Sequence, residues 1–147
     1  MKSKIYYLPL LFLAVLSASC EKNDPDEWLK DNIEVVGRFP VIASLSIVPP
    51  QTSRVPAGSS VQLDLRYWSD DPVDKINLYA TVGAGARQTV STSAYAKAYS
   101  AVSKTDSLIL PYQVPAGLAS GTSIKLDAEV LNQNTLSRTS SVTLTVQ

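Results

Sequence analysis

Side chains that commonly perform acid-base catalysis or bind transition metals are scarce in this sequence. It contains no histidine and a single cysteine, Cys20, which excludes Ser-His-Asp and Cys-His nucleophiles and ordinary zinc sites. Carboxylates remain, and a glycosidase-type pair could be drawn from Asp70, Asp71, Asp74, Asp127 and Glu129. We expect no enzymatic activity, because a small domain rarely encloses a carboxyl group deeply enough to raise its pKa.

Three groups of side chains could bind a ligand. Asp70, Asp71 and Asp74 lie within one short stretch, and their oxygens are the ligands that calcium prefers. The same residues also make an ordinary turn, since aspartate and proline favour chain reversal. A calcium site and a plain turn are therefore both compatible with this stretch.

The second group is Tyr95, Lys97 and Tyr99. If residues 92–100 are extended, these side chains share one face of a strand, and a hairpin through residues 83–87 could bring Tyr79 near them. Exposed tyrosines bind flat sugar faces or other proteins, because the ring supplies apolar area and the hydroxyl a hydrogen bond. Alternatively, Tyr95 and Tyr99 form a short helix face or cover the edge of the domain.

The third group is Trp68 with Arg66, which point to the same side at the end of one predicted strand. A tryptophan there is better suited to covering a corner of the domain, or to meeting Trp28, than to binding a ligand.

The body of the chain that must position these groups alternates apolar and polar side chains with a period of two. The apolar members are Ala43, Leu45 and Ile47; Val61, Leu63, Leu65 and Tyr67; Ile76, Leu78, Ala80 and Val82; Leu108, Leu110, Tyr112 and Val114; Ile124, Leu126, Ala128 and Val130; and Val142, Leu144 and Val146. Such alternation is typical of strands with one face on the core and one in water.

Turn-forming residues separate these segments, as at Pro49-Pro50 and Pro56-Ala57-Gly58. Six or seven strands over residues 39–147 indicate an all-β fold, a single antiparallel β-sandwich. The pattern resembles the immunoglobulin-like and fibronectin type III-like domains of secreted bacterial proteins. The cysteine pair of antibody domains is missing, so the core must hold by packing alone.

The N-terminus has the features of a secretion signal. Lys2 and Lys4 precede an apolar run over residues 5–16, and small residues then lead into Cys20. The run is shorter than the roughly 20 residues that a transmembrane helix needs. We expect residues 1–19 to be a signal peptide that is removed.

Residues 16–20 resemble the lipobox of bacterial lipoproteins of the Bacteroidota type, although Ser17 stands where leucine is usual. The resemblance implies that Cys20 is acylated, with palmitate among its lipids, and that the protein is exported and anchored in the outer membrane at the cell surface. Two or more acyl chains anchor a protein stably. The alternative is ordinary signal-peptidase cleavage, which leaves a free thiol.

Residues 20–38 form an acidic tether in this interpretation. The segment carries Glu21, Asp24, Asp26, Glu27 and Asp31. A capping aspartate followed by proline predicts a short helix near Pro25 to Lys30. Without residues 1–19, 11 basic and 13 acidic side chains remain, a formal charge of −2. No basic cluster is present, so nucleic acid is not an expected partner.

The sequence therefore predicts a non-catalytic surface lipoprotein that binds the membrane through its lipid anchor. The resemblance to small Bacteroidota surface lipoproteins implies a glycan-binding or accessory subunit of an outer-membrane nutrient-uptake system, with a glycan or a transporter complex as partner. The alternative is a structural or adhesive protein-protein interaction module of the cell envelope. No cofactor is expected beyond the covalent lipid on Cys20, with calcium at Asp70, Asp71 and Asp74 as the alternative.

Overall fold

The computed structural model describes residues 33–147. The predicted signal peptide, Cys20, Trp28 and the predicted helix near Pro25 to Lys30 lie outside the described residues. The chain divides after Val35, and Val36–Gln147 forms one compact unit. Within the part that the structure describes, no helix is long and apolar enough to cross a membrane.

Nine strands build this unit. They are β1 (Val41–Ile47), β2 (Arg54–Val55), β3 (Ser60–Trp68), β4 (Val73–Val82), β5 (Gln88–Ala94), β6 (Tyr99–Ser100), β7 (Thr105–Gln113), β8 (Ser123–Asn132) and β9 (Ser137–Val146). The six long predicted segments are all strands. The additional ones include β2 and β6, whose two residues are too few to show an alternating pattern.

The strands form two sheets. One has the order β1-β3-β7-β6 and the other β2-β9-β8-β4-β5. All neighbours are antiparallel except β2 and β9, which are parallel. The order corresponds to strands A, B, E and D of an immunoglobulin domain facing strands G, F and C, with an extra edge strand beside C. The predicted all-β, immunoglobulin-like sandwich is confirmed.

The core lies between the sheets and contains the apolar side chains that the alternation identified. The predicted inward residues of β3 and β8 are all buried, as are Ile76, Leu78 and Ala80 of β4. Tyr67, Leu63 and Leu65 are among the largest fully buried side chains. No disulfide is needed to place them, because each sheet presents one continuous apolar face to the other.

The alternation fails in β1. The register with β3 shifts between Ile42 and Ser44, so Ala43 is an extra, exposed residue rather than an inward one. Ile42 takes its place and packs against the core together with Leu45 and Ile47. A bulge adds one residue to one strand and reverses the inward and outward positions on one side of it, which a period of two does not anticipate.

The extended segment predicted over residues 92–100 is also interrupted. Strand β5 ends at Ala94 in the five-stranded sheet, and β6 begins at Tyr99 in the four-stranded sheet. The intervening residues 95–98 carry the chain from one sheet to the other. Tyr95, Lys97 and Tyr99 therefore do not share the face of one strand.

Candidate functional site

The outer surface of the five-stranded sheet carries the main cluster of polar side chains. We call Asn77, Tyr79, Arg87, Asp127 and Glu129 the polar face. The β4-β8 register sets Asn77 opposite Glu129 and Tyr79 opposite Asp127. Alternate residues of neighbouring strands point to the same side, so these side chains meet above the sheet.

Glu129 accepts three hydrogen bonds. Its Oε2 accepts from Asn77 Nδ2 at 3.0 Å and from the Tyr79 hydroxyl at 2.9 Å, and its Oε1 accepts from Ser137 Oγ at 3.0 Å. Asn77 is buried, and its Oδ1 accepts from Thr92 Oγ1 at 2.9 Å. The carboxylate and the amide are thereby satisfied within the protein.

Asp127 is held by cations as well as by a hydroxyl. Its Oδ1 accepts from Ser141 Oγ at 2.6 Å and lies 3.0 Å from Lys125 Nζ, and its Oδ2 lies 3.3 Å from Arg87 Nε. The Arg87 guanidinium also lies 3.6 Å from the centre of the Tyr79 ring, a cation-π contact. Two cations thus balance the two carboxylates.

Both carboxylates have a lowered pKa. Burial alone would raise the pKa of Asp127, but the hydrogen bonds from Ser141 and Lys125 lower it below its ordinary value. Burial also raises the pKa of Glu129, but the hydrogen bonds from Asn77, Tyr79 and Ser137 outweigh burial and leave the pKa below its ordinary value. Both groups are therefore ionised at neutral pH.

The predicted gathering of tyrosines does not occur, because the antiparallel register separates them. Tyr79 lies opposite Thr89 on β5, whereas the Tyr95 amide donates to the Asp74 carbonyl at 3.0 Å. Five residues of strand, roughly 16 Å, separate Tyr79 from Asp74. The hairpin through residues 83–87 exists, but it does not bring Tyr79 near Tyr95.

Tyr95 instead fastens the crossover between the sheets. Its hydroxyl donates to Asp106 Oδ2 at 3.0 Å, and the Ala98 amide donates to Asp106 Oδ1 at 2.9 Å. Burial, followed by the Asp106 hydrogen bond, raises the pKa of Tyr95. This contact matches the alternative in which Tyr95 covers the sandwich edge. Lys97, in the same connection, is exposed.

Tyr99 is followed in the chain by Ser100, which lines a groove that sequence reasoning missed. The Tyr99 ring points to the opposite side of the sheet from that groove, because Tyr99 pairs with Asp106, which in turn pairs with the buried Tyr67. The Tyr99 side chain is 58% exposed, and the adjacent Ser100 lines a cavity of about 180 Å³ on the outer side of the four-stranded sheet. We call this cavity the serine groove, and it is lined by Arg66, Ser100, Val102, Ser103 and Ser107. These residues come from three strands and a turn, so nothing in the linear sequence groups them.

The Asp64 carboxylate contacts two of the side chains that line the serine groove. Asp64 Oδ2 lies 3.0 Å from Arg66 Nε, and Asp64 Oδ1 accepts from Ser107 Oγ at 3.0 Å. Asp64 and Arg66 are two residues apart on the same face of β3, and the β3-β7 register sets Ser107 opposite Arg66, so all three side chains meet. These contacts orient Arg66, and 47% of its side chain stays exposed.

The predicted aspartate corner binds the segment that enters the sandwich. Asp70 pairs with the Arg38 guanidinium, and Asp71 Oδ2 accepts from the Arg38 amide and from Asn134 Nδ2. Asp74 lies apart on β4, where it pairs with Lys75 at 3.6 Å. Among residues 33–147, no three acidic side chains converge as a metal site would need. Calcium binding at Asp70, Asp71 and Asp74 stays a prediction.

Trp68 lies at the end of β3 and is 42% exposed. It pairs in register with Val41 of β1 on the outer side of the four-stranded sheet. A contact between Trp68 and Trp28 stays a prediction, because Trp28 lies outside the described residues.

Comparison with known proteins gives no family. No family model matches the chain, and no curated protein matches it. Among solved structures, it is similar to the sporulation control protein Spo0M from Bacillus subtilis, with a TM-score of 0.48 and 8% sequence identity. The match covers 74% of this chain and 49% of that one, so this chain spans about half the length of that neighbour. So distant a likeness does not identify a function.

Proposed function

We propose that this chain is an exported, lipid-anchored, non-catalytic glycan-binding subunit of an outer-membrane nutrient-uptake system. The observation that carries the binding role is the exposed ring of Tyr99, with the serine groove as a separate hydroxyl-lined surface on the other side of the same strand. The N-terminal lysines, apolar run and lone Cys20 support export and anchoring.

The groove offers the chemistry that sugars use. On the other side of the same strand, the Tyr99 ring provides a flat apolar surface for the C-H face of a pyranose ring. Ser100 and Ser103 supply hydroxyls, Ser107 supplies an acceptor because its proton is donated to Asp64, and Arg66 supplies donors to ring substituents. A shallow groove of about 180 Å³ suits recognition of one or two sugar units rather than enclosure of a substrate.

Two features support binding without turnover. The carboxylate at the serine groove, Asp64, is occupied by Arg66 and Ser107. The carboxylates of the polar face, Asp127 and Glu129, are held ionised by their partners. Neither place supplies a carboxylic acid and a free carboxylate together, which both glycosidase mechanisms require.

Calorimetric titration of the full chain against soluble polysaccharides, with starch among them, tests the binding role. We expect Tyr99→Ala to weaken binding at least tenfold, which is about 1.4 kcal/mol, whereas Tyr99→Phe keeps the ring and binds. Tyr79→Phe, on the polar face, is the matched control and leaves affinity unchanged. Absence of binding to every polysaccharide, or equal affinity of Tyr99→Ala, contradicts the glycan role.

Metabolic labelling with a palmitate analogue tests the anchor. We expect label on the wild-type chain in the membrane fraction, and an unlabelled, soluble chain after Cys20→Ser. Mass spectrometry of the mature N-terminal peptide supplies the acyl composition. A wild-type chain that begins with an unmodified Cys20 contradicts lipid anchoring.

A second function, a structural or adhesive protein-interaction module of the envelope, is favoured by a different observation. Strand β5 is the last strand of its sheet, so one side of its backbone has no strand neighbour among residues 33–147. Such edges accept another strand. Co-purification with a larger envelope complex, without any glycan affinity, would support this function over the first.

A further inference from the structure

The free edge of β5 lacks the features that usually prevent strand pairing. Its seven residues, Gln88–Ala94, include no charged residue and no proline. Proteins commonly blunt an exposed edge with lysine, proline or an inward-pointing charge. One protective feature is present: the β4-β5 register shifts at Val90, which bulges out and is 39% exposed.

A groove runs along this edge. Strand β6 pairs with β7 only at Thr105 and Asp106, so the later part of β7 has no strand neighbour on that side within the described residues. The two open edges border a cavity of about 250 Å³. Its apolar lining includes Ala80, Val82, Val90, Tyr112 and Pro115.

We propose that β5 pairs antiparallel with β5 of a second copy of this chain, which joins two five-stranded sheets into one of ten strands across a two-fold axis. Antiparallel pairing of a strand with itself satisfies two-fold symmetry, because residue i of one copy contacts residue j of the other and residue j contacts residue i. The backbone groups left open on each edge satisfy those of the other.

The chemistry of the edge selects β5 itself as the occupant. The open edge accepts an extended strand without charge or proline, and β5 is itself such a strand. Hydroxyl pairs such as Ser91 and Thr92 are favourable cross-strand neighbours. No like charges meet along the seven residues, so the pairing has no repulsive contact to overcome.

Charges at the strand ends are compatible with the same arrangement. Arg87 precedes β5, and Asp74 lies beside its far end, where its carbonyl accepts from the Tyr95 amide. Antiparallel pairing sets residue 87 of one copy near the Tyr95 end of β5 in the other, while the Arg87 guanidinium stays on Asp127 and Tyr79 of its own sheet. With the axis at or beyond Ser91, the two Arg87 residues are at least eight positions apart, roughly 26 Å and beyond the screening length.

Disulfide scanning tests the pairing directly, because Cys20 is the only cysteine of the chain. In the full chain carrying Cys20→Ser, single cysteines are placed at Val90, Ser91, Thr92 and Ser93, and the exported protein is run on non-reducing gels. We expect covalent dimer at one or two adjacent positions, those nearest the two-fold axis. Ser46→Cys, on edge strand β1 of the other sheet, is the matched control and stays monomeric.

Sedimentation velocity on the Cys20→Ser chain gives an independent readout. We expect a dimer. Val90→Lys should raise its dissociation constant at least tenfold and shift the protein to monomer, whereas Ser46→Lys should leave the dimer intact. Thermal unfolding by circular dichroism verifies that each variant is folded. A monomer at every concentration, equal cross-linking at all positions including Ser46, or a dimer unchanged by Val90→Lys overturns the proposal.

Discussion

Glu129 and Asp127 are the side chains whose chemistry the tertiary structure defines most sharply. Each lies on the solvent side of β8, yet each is enclosed by partners from neighbouring strands. A carboxylate that accepts several hydrogen bonds remains ionised and is costly to alter, because its donors would lose their acceptor. The polar face is therefore expected to contribute to stability as well as to surface character.

Replacement of Glu129 by glutamine tests this contribution. Glutamine keeps the size of the side chain but removes the charge, and its amide group faces the donors Asn77, Tyr79 and Ser137. We expect Glu129→Gln to lower the free energy of unfolding by about 1–3 kcal/mol, measured from urea unfolding. Asp74→Asn, where the carboxylate is half exposed and pairs only with Lys75, is the control and should change stability by less than about 0.5 kcal/mol.

Acid should destabilise the domain through the same two residues. Their folded-state pKa values are lowered, so their contribution is present above the ordinary carboxyl pKa of about 4 and is lost as pH falls through the folded-state values. We expect the urea midpoint to be level between pH 7 and 5 and to drop below about pH 4. In the double variant Asp127→Asn with Glu129→Gln the drop should be shallower, and an unchanged pH profile would contradict the assignment.

Element boundaries explain why the polar face and the serine groove are separate sites. The crossover between β5 and β6 moves Tyr99 to the four-stranded sheet and leaves Tyr79 on the five-stranded sheet. Tyr95 and Ala98 fix this crossover through Asp106 on β7. Because the chain changes sheets between β5 and β6, residues that are close in sequence lie on two different surfaces.

The segment before β1 is held to the end of the sandwich by polar contacts. The Arg38 carbonyl accepts from Asn132 Nδ2 at 3.1 Å, and the Arg38 amide donates to Asp71. Gly37 precedes it with φ +131°, and a Cβ there would collide with the side chains of Asp71 and Asn134. Glycine is required at this position by conformation and by space.

Substitution of Gly37 by alanine should release this segment. We expect Gly37→Ala to cost about 1–3 kcal/mol and to accelerate hydrogen exchange of the Arg38 amide, which loses its acceptor on Asp71. Gly117→Ala is the control, because Gly117 has φ +79° but no atom in the way, so it reports backbone strain alone. Slow exchange at Arg38 in Gly37→Ala would show that the segment is held by other means.

At the scale of the whole domain, stability comes from packing between two apolar sheet faces. Leu63, Leu65, Leu126 and Leu144 are completely buried, and each such side chain contributes roughly 1.5–3 kcal/mol. Antibody domains add a disulfide between the sheets, but this chain has no second cysteine. The core alone must therefore offset the entropy of ordering the chain.

Reducing agents should leave the domain unaffected. We expect the melting temperature of the full chain to shift by less than about 1 °C on addition of dithiothreitol, measured by differential scanning calorimetry, because no intrachain disulfide can form. Leu65→Ala is the positive comparison and should cost about 2–5 kcal/mol. A lowered melting temperature under reduction would reveal a stabilising disulfide between copies through Cys20.

Particular residues show how far the sequence can be interpreted. The alternation in β3 and β8 predicted every buried apolar position there, because a regular strand places each second side chain on the same face. The predictions for Ala43 and for residues 92–100 were wrong because of a bulge and a crossover. Neither feature changes the pattern of polar and apolar residues. By the same alternation Asn77, between the inward Ile76 and Leu78, falls on the water side of β4, but it is buried and bonded to Glu129 and Thr92.

The amino-acid sequence by itself determined the two-layer β architecture, the apolar core of its long strands and the absence of histidine and disulfide chemistry, because these follow from side-chain type and local spacing. Tertiary structure alone decided that Tyr79 meets Glu129 and Arg87, that Arg66 and Ser100 line one groove, and that β5 ends its sheet. Those relations depend on strand order and register, which are set by contacts between residues distant in the chain.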